Sequence, residues 1–182
     1  MSVTSAKSGA TGISLALDNN YMEPIATATA TSGTTVTFND IPQTYKHLQI
    51  RCNIALSTSA NDLRIRFNSD AGNNYADHYL RGNGSTTAAG ADPDVDSIRY
   101  VAYMNSGTSQ SNGIIVDILD YSNTGKFKTT RSLSGYDTNS AGWVMFSSGL
   151  WRDMTAISSI TIFSSNNAFT TGTRFSLYGI KG

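Results

Sequence analysis

The last residues of the chain, 171–182, alternate between apolar and polar side chains almost to the final glycine. Phe175 and Leu177, and Ile180 after an irregularity at Gly179, stand at the spacing of two that a half-buried β-strand requires. Chain ends fray unless tertiary contacts hold them. The segment therefore predicts a fold that needs this strand, which favours a closed β-sandwich completed by it.

The same alternation recurs through the chain. In residues 47–55 the even positions from Leu48 to Ile54 are apolar, and residues 62–68 repeat the pattern after a short Ser/Thr/Asn loop, which predicts a hairpin. No stretch has the sustained apolar spacing and caps of a helix. About ten strands separated by turn residues predict an all-β antiparallel sandwich with jelly-roll topology. The further predicted strands cover residues 35–38, 75–81, 97–105, 113–121, 127–136, 143–151 and 157–164.

Small polar residues dominate the composition, because Ser, Thr, Gly and Asn make up 77 of the 182 residues. We expect them at turns and at solvent-facing strand positions. The net charge is zero and 14% of residues are charged, so we expect no nucleic-acid and no membrane partner. The single cysteine, Cys52, excludes an intrachain disulfide and is expected to be buried. Without a signal peptide or an apolar run of ~18 residues, synthesis in the cytoplasm is expected.

Two units are predicted: an N-terminal arm over residues 1–20 and a β-sandwich domain over residues 21–182. The arm is rich in small residues and contains one alternating apolar patch, formed by Ile13, Leu15 and Leu17. Such a patch can pair as a strand on a neighbouring subunit, so these three are the candidate partner-binding residues. A mobile tail is the alternative interpretation.

Asp92, Asp94 and Asp96 form the one candidate metal site, because alternating carboxylates in a loop can bind Ca²⁺. The turn glycine and the distant glutamate of an EF-hand loop are missing at the required offsets. An exposed acidic loop between strands is the preferred interpretation, with calcium as the weaker alternative. His47 and His78 lack the further ligands that a zinc site needs. We therefore predict no metal and no cofactor.

Catalytic patterns are also weak. The chain has no Gly-x-Ser-x-Gly elbow and no phosphate-binding glycine loop, and its one glutamate, Glu23, lies before the sandwich although general acids are frequently Glu. We predict that the protein is not an enzyme and has no catalytic residues. Aromatic side chains could instead stack on sugar rings, and the candidate glycan-binding residues are Trp151, Tyr136 and Trp143.

Three segments carry a family resemblance. Residues 36–51 read Val-Thr-Phe-Asn-Asp-Ile-Pro-Gln-Thr-Tyr-Lys-His-Leu-Gln-Ile-Arg, residues 63–75 read Leu-Arg-Ile-Arg-Phe-Asn-Ser-Asp-Ala-Gly-Asn-Asn-Tyr, and residues 174–182 read Arg-Phe-Ser-Leu-Tyr-Gly-Ile-Lys-Gly. These segments resemble a group of small virion structural proteins encoded by tailed bacteriophages. The resemblance covers about residues 21 to 182 and brings no catalytic residues with it.

The resemblance implies a non-enzymatic virion protein, assembled in the host bacterial cytoplasm. The leading hypothesis is a capsid decoration or cement protein that binds the outer shell, with the major capsid protein or other virion subunits as partners. A closed homo-oligomer, a trimer or a dimer, would suit symmetric sites in a shell. A tail, fibre or baseplate component is the first alternative. A glycan-binding module for host attachment is the second.

Overall fold

The computed structural model describes residues 21–58 and 61–182, and every regular element in these ranges is a β-strand. The strands form two antiparallel sheets, one ordered β1-β12-β3-β8-β9-β10-β5-β6 and the other β2-β11-β4-β7. The all-β sandwich predicted from the alternation is confirmed, whereas the predicted arm, residues 1–20, lies outside the described residues. No helix in the described part of the chain is long and apolar enough to cross a membrane. The strands are β1 (Met22–Ala30), β2 (Thr35–Phe38), β3 (His47–Leu56), β4 (Asn61–Phe67), β5 (Tyr75–Gly82), β6 (Thr87–Val95), β7 (Ile98–Met104), β8 (Gly107–Leu119), β9 (Lys128–Asp137), β10 (Gly142–Trp151), β11 (Ile160–Ser164) and β12 (Thr173–Ile180).

Eight strands pair as a nested set: β1 with β12, β2 with β11, β3 with β8, and β4 with β7. Folding this nested set over itself gives β1-β12-β3-β8 opposite β2-β11-β4-β7, which is a jelly roll. We call these eight strands the framework. The predicted hairpin between residues 47–55 and 62–68 is wrong, because β3 and β4 belong to opposite sheets. A Ser/Thr/Asn loop suits a crossing between sheets as well as a tight turn.

Two hairpins are inserted into the framework. β5 and β6 come between β4 and β7, and β9 and β10 come between β8 and β11. All four strands add to the β8 side of the larger sheet, in the order β9-β10-β5-β6. We call them the extension. Its inner face is contacted by β7 of the smaller sheet, which packs on β5, β9 and β10.

The core between the sheets is apolar and includes large aromatic side chains. Trp151, Tyr75 and Phe67 are fully buried together, with the Phe67 and Trp151 ring centroids 5.5 Å apart. Phe175 of β12 packs edge-on against Phe169 at 5.1 Å. Rings in this arrangement combine a large buried area with favourable aromatic geometry.

The final strand enters the core as predicted, with one correction. Phe175 and Leu177 are buried, and Gly179 continues the same inward face instead of interrupting the strand. The ring of Tyr45 lies on Gly179, where a Cβ atom would come within 2.3 Å of it. Ile180 therefore falls on the opposite face and is half-buried, so its predicted place in the core is wrong.

Candidate functional site

The strands of the extension invert the usual alternation between core and solvent. On β9 the inward positions include Ser132 and Ser134, whereas Leu133 between them faces outward. On β10 the inward positions include Ser147, whereas Phe146 beside it faces outward. In a sheet with one solvated face, the apolar side chains normally occupy the core face. On β9 and at the centre of β10, the buried face carries small polar residues and the exposed face carries Leu133 and Phe146, whereas β10 also buries Met145 and Trp151 in the usual way.

The inward serines fit the close approach of β7. The Ser132 hydroxyl donates a hydrogen bond to the Val101 carbonyl at 2.8 Å. A Cβ atom on Gly149 would come within 2.6 Å of the Ile98 side chain. Small side chains are therefore required at Ser132 and Gly149, because β7 lies too near for larger ones there. The prediction that such residues serve only turns and solvent-facing positions is wrong for these strands.

The outward apolar side chains form a continuous row across four strands. Ile115 lies directly opposite Leu133, Leu133 opposite Phe146, and Phe146 opposite Leu80. Val144 stands beside Phe146 at the next outward position of β10. We call these five residues the apolar row, and their exposed fractions run from 40% at Ile115 to 60% at Val144. Contiguous apolar patches of this kind on soluble proteins mark surfaces of interaction.

One border of the apolar row is a polar network whose charges are paired within the chain. The Arg131 guanidinium donates to an Asp117 carboxylate oxygen at 3.1 Å, and the Gln49 amide donates to the other oxygen at 2.8 Å. Arg51, opposite Ile115, donates to Gln49 at 2.9 Å. The opposite border consists of glycines around Val144: Gly82 and Gly135 are its direct neighbours on β5 and β9.

Beyond those glycines, a groove of about 890 Å³ lies between the tips of the two inserted hairpins. Tyr136 and Trp143 line it, together with the polar residues Asn83, Asp137 and Asn139. Tyr136 and Trp143 are directly opposite each other on β9 and β10. A groove that combines aromatic and amide or carboxylate side chains can bind a polar ring compound such as a sugar.

The third glycan candidate, Trp151, is not part of this groove. It ends β10, eight residues from Trp143, and only 1% of its surface is exposed. Its indole N–H donates to Asp70 at 2.8 Å, inside the aromatic core cluster. The prediction that Trp151 could stack on a sugar is therefore wrong, because its ring has no solvent-accessible face.

The Trp143 ring is held by neighbours on the inner side of the sheet. The Arg81 guanidinium lies over it at 4.9 Å and also over the rings of Tyr79 and Tyr103. Tyr103 meets Trp143 edge-on at 5.7 Å. Cation–π contacts of this kind fix the orientation of an aromatic ring.

The three aspartates of the calcium candidate are paired with arginines, and Arg99 lies near both Asp92 and Asp96. Asp92 lies 3.7 Å from Arg99, whereas Asp94 pairs with Arg152 and Asp96 with Arg66. The predicted loop is only partly correct, because Asp92 and Asp94 belong to β6 and, of the three aspartates, Asp96 alone lies between β6 and β7. Among the described residues, no three His, Cys, Asp or Glu side chains are grouped as metal ligands.

Two titratable side chains are buried in the extension. Burial raises the pKa of the Asp77 carboxyl to about 6, although one carboxylate oxygen accepts the Arg99 backbone N–H at 2.8 Å. Lys128 is fully buried, and its ammonium donates to the carbonyls of Lys126 and Met154 at 3.0 and 3.1 Å. Burial lowers the pKa of this lysine. Both groups are ones that sequence reasoning did not single out.

Cys52 and the histidines have the environments that were expected. Cys52 is buried, and burial raises the pKa of its thiol. His47 accepts the Asp120 backbone N–H through Nδ1 at 2.9 Å, and His78 is exposed on β5. The partner-binding candidates Ile13, Leu15 and Leu17 lie outside the described residues.

Sequence reasoning missed the apolar row. The signal was present as Leu133 and Phe146 alternating with serines, but the pattern does not say which face is buried. Comparison of the chain with known protein families, with curated proteins and with solved structures finds no match. The functional argument therefore depends on the residues and their geometry.

Proposed function

We propose that this protein is a non-enzymatic structural component of a bacteriophage virion, and specifically a decoration protein on the outer capsid shell. The observation that carries the proposal is the apolar row on the outer face of the sandwich. A surface of this kind serves assembly with other protein chains. The resemblance of residues 36–51, 63–75 and 174–182 to phage virion proteins supports the choice of particle.

The expected mechanism is mechanical. A decoration protein buries surface against several shell subunits at once, and this raises the free energy needed to separate them. The partner is then the major capsid protein or another virion subunit, and the location is the virion, assembled in the host cytoplasm. In this proposal the apolar patch of Ile13, Leu15 and Leu17 reaches onto a shell subunit.

Binding of the purified protein to undecorated shells tests this function. Removal of residues 2–20 should abolish co-sedimentation with the shells and leave the thermal unfolding midpoint unchanged. A matched variant, Ile13→Ser with Leu15→Ser and Leu17→Ser, keeps the arm length and should lose binding as well. Full occupancy of the shells by both variants would reject the role of the arm.

The copy number in purified virions separates this function from its first alternative. A decoration protein is present in tens to hundreds of copies per particle, whereas a tail, fibre or baseplate component is present in few. Quantified bands relative to the major capsid protein give the ratio directly. A few copies per particle would favour the tail-associated alternative.

The groove between the hairpin tips favours a second candidate function, glycan binding for host attachment. Tyr136 and Trp143 would supply the aromatic contact, and Asn83, Asp137 and Asn139 the polar contacts. On a glycan array, Trp143→Ala should remove any signal. Phe127→Ala changes an exposed aromatic at the opposite end of β9 and should not. No signal from the unmodified protein would remove this candidate.

A further inference from the structure

We propose that the apolar row joins two copies of this chain, with the outer face of the extension packing against the same face of a second copy. This inference does not depend on the proposed virion function. It concerns Ile115, Leu133, Phe146 and Leu80, with Val144 beside them. Four observations support it: the inverted alternation, the reach of the N-terminal segment, the paired charges at the border, and the size of the patch.

The inverted alternation indicates that the outer face is normally covered. On β9, Ser132 and Ser134 are buried, whereas the larger apolar side chain of Leu133 is exposed to solvent. Sheets that are covered on both faces lose the simple distinction between a polar and an apolar side. The outer face of β9 and β10 has the composition of a face that meets another layer.

The residues that directly precede β1 cannot supply this layer. Met22 at the start of β1 is opposite Ile180. The line of paired residues that contains Ile115 continues across the sheet to Thr27 of β1, five residues after Met22. The distance from Met22 to Leu133 is roughly 25 Å, because the two residues are separated by five residues along the strand and four strand spacings across the sheet. From residue 21 an extended chain reaches at most about 14 Å at residue 17 and about 22 Å at residue 15. Residues 15–20 therefore cannot cover Leu133 from within the same chain, whereas the same face of a second copy can.

The charges at the border favour a second copy over a charged partner. Asp117 forms an ion pair with Arg131 and accepts a hydrogen bond from Gln49, whereas Arg51 donates to the neutral Gln49 amide, so the border contains one carboxylate and two guanidinium groups. An interface with two-fold symmetry places a patch against itself, so that a patch of one sign would repel its copy. The border of the apolar row carries both signs, with Asp117 and Arg131 paired within the chain, and so is not a patch of one sign.

The size of the patch fits a standard interface. Five large side chains at about half exposure leave on the order of 400 Å² of apolar surface, comparable with the largest patch on a typical monomer. A stable interface buries about 800 Å² on each partner, of which somewhat more than half is apolar. The apolar row therefore supplies most of the apolar area needed, and the neighbouring glycines allow close approach of the partner.

Sedimentation velocity over a concentration series tests the inference. We expect the full chain to associate, and Phe146→Glu to weaken its dimerisation at least about 30-fold, as the loss of a central interface residue does. Thr29→Glu is the matched control, since it adds the same charge on the exposed side of β1, three strands from Ile115, and should leave association unchanged. Thermal unfolding of each variant verifies the fold, and Leu133→Lys replaces Phe146→Glu if that variant does not fold.

Three results would overturn the inference. The first is a chain that stays monomeric up to about 1 mM, the range of the weakest specific associations. The second is an equal effect of Phe146→Glu and Thr29→Glu on association. The third is association that is lost on removal of residues 2–20 but insensitive to Phe146→Glu. Failure of the virion proposal would appear in shell binding and copy number, which this experiment does not measure.

Discussion

The framework and the extension share one eight-stranded sheet, yet they distribute apolar residues in opposite ways. In the framework, β3 and β12 bury Ile50 and Leu177 and expose Arg51 and Arg174. In the extension, β9 buries Ser132 and exposes Leu133. The framework thus follows the alternation of a sheet with one solvated face. The extension departs from this alternation, because it places apolar side chains on its solvent-facing side.

This difference teaches that alternation reports the surroundings of a sheet and not only its strands. Framework strands meet their apolar partner within the same chain, whereas the extension meets a thin, close layer, β7, on one side. Where β7 approaches most closely, the larger apolar side chains Leu133 and Phe146 lie on the other side. The following substitutions test the comparison, beginning with the largest expected effect.

The first prediction contrasts two phenylalanines on opposite sides of the sheet. Phe175→Ala in the framework should lower the free energy of unfolding by about 3–5 kcal/mol, because it leaves a cavity in a packed core. Phe146→Ala in the extension should change it by about 0.5 kcal/mol or less in dilute, monomeric protein. Urea unfolding at low protein concentration measures both. A loss of several kcal/mol for Phe146→Ala would show that its side is packed within the monomer.

The second prediction concerns the buried carboxyl of the extension. The pKa of Asp77 is about 6 in the folded state, above the ordinary value near 3.8, so its contribution to stability is present below pH 4 and lost as pH rises through 6. Relative to Asp77→Asn, the natural protein should lose at most about 3 kcal/mol between pH 4 and pH 8.

Urea unfolding of both proteins at pH 4, 6 and 8 gives this difference directly. The other carboxylates are common to both proteins, so their titration cancels in the comparison. A pH-independent difference would mean that Asp77 has the same pKa in the folded and unfolded states.

The third prediction tests the close approach of β7. Gly149→Ala places a methyl group within 2.6 Å of Ile98 and should cost about 1–3 kcal/mol, because the packed layer must shift. Ser148→Ala, the adjacent outward position, is the control and should stay within about 0.5 kcal/mol. Thermal or urea unfolding measures both. Equal effects of the two substitutions would contradict the tight packing of β7 on the extension.

The smallest expected effect on the free energy of unfolding concerns two buried serines on β9. Ser132→Ala removes the hydrogen bond to the Val101 carbonyl and should cost about 1 kcal/mol. The Ser134 hydroxyl is buried without a hydrogen-bond partner among the described residues, so Ser134→Ala should be neutral or stabilising. If urea unfolding showed a larger loss of unfolding free energy for Ser134→Ala than for Ser132→Ala, the Ser134 hydroxyl and not the Ser132 hydroxyl would be the stabilising one.

The framework was the part of the fold that could be predicted best from the sequence. The apolar positions of β3 alternate from Leu48 to Ile54 and those of β12 include Phe175 and Leu177, so the existence and the core face of both strands could be predicted, except at Ile180. β6 was missed because residues 87–95 consist largely of Ala, Gly, Asp and Pro, which are typical of turns. Gly90 has a packing reason that sequence does not show: the Tyr79 ring would lie 2.7 Å from a Cβ atom there.

The candidate site was harder to predict from the sequence, because the order of the strands in the sheet is what brings its residues together. Leu133 and Phe146 are 13 residues apart, and Leu80 joins them only because an earlier hairpin returns to the same sheet beside β10. Trp151 was assigned to a surface site because composition alone does not separate a core aromatic from an exposed one. Tyr136 and Trp143, by contrast, were singled out together and do line one groove.

The nested pairing of the framework affects the order of events during folding. The β9–β10 hairpin joins neighbouring segments and can form within microseconds, whereas β1 and β12 close a loop of almost the entire described chain, with Met22 opposite Ile180. The high contact order of the framework therefore leaves its long-range strands as the late-forming ones. Early hairpins would expose Leu133 and Phe146 before the sandwich exists, so the yield of renaturation from urea should fall as protein concentration rises, and less steeply for Phe146→Glu.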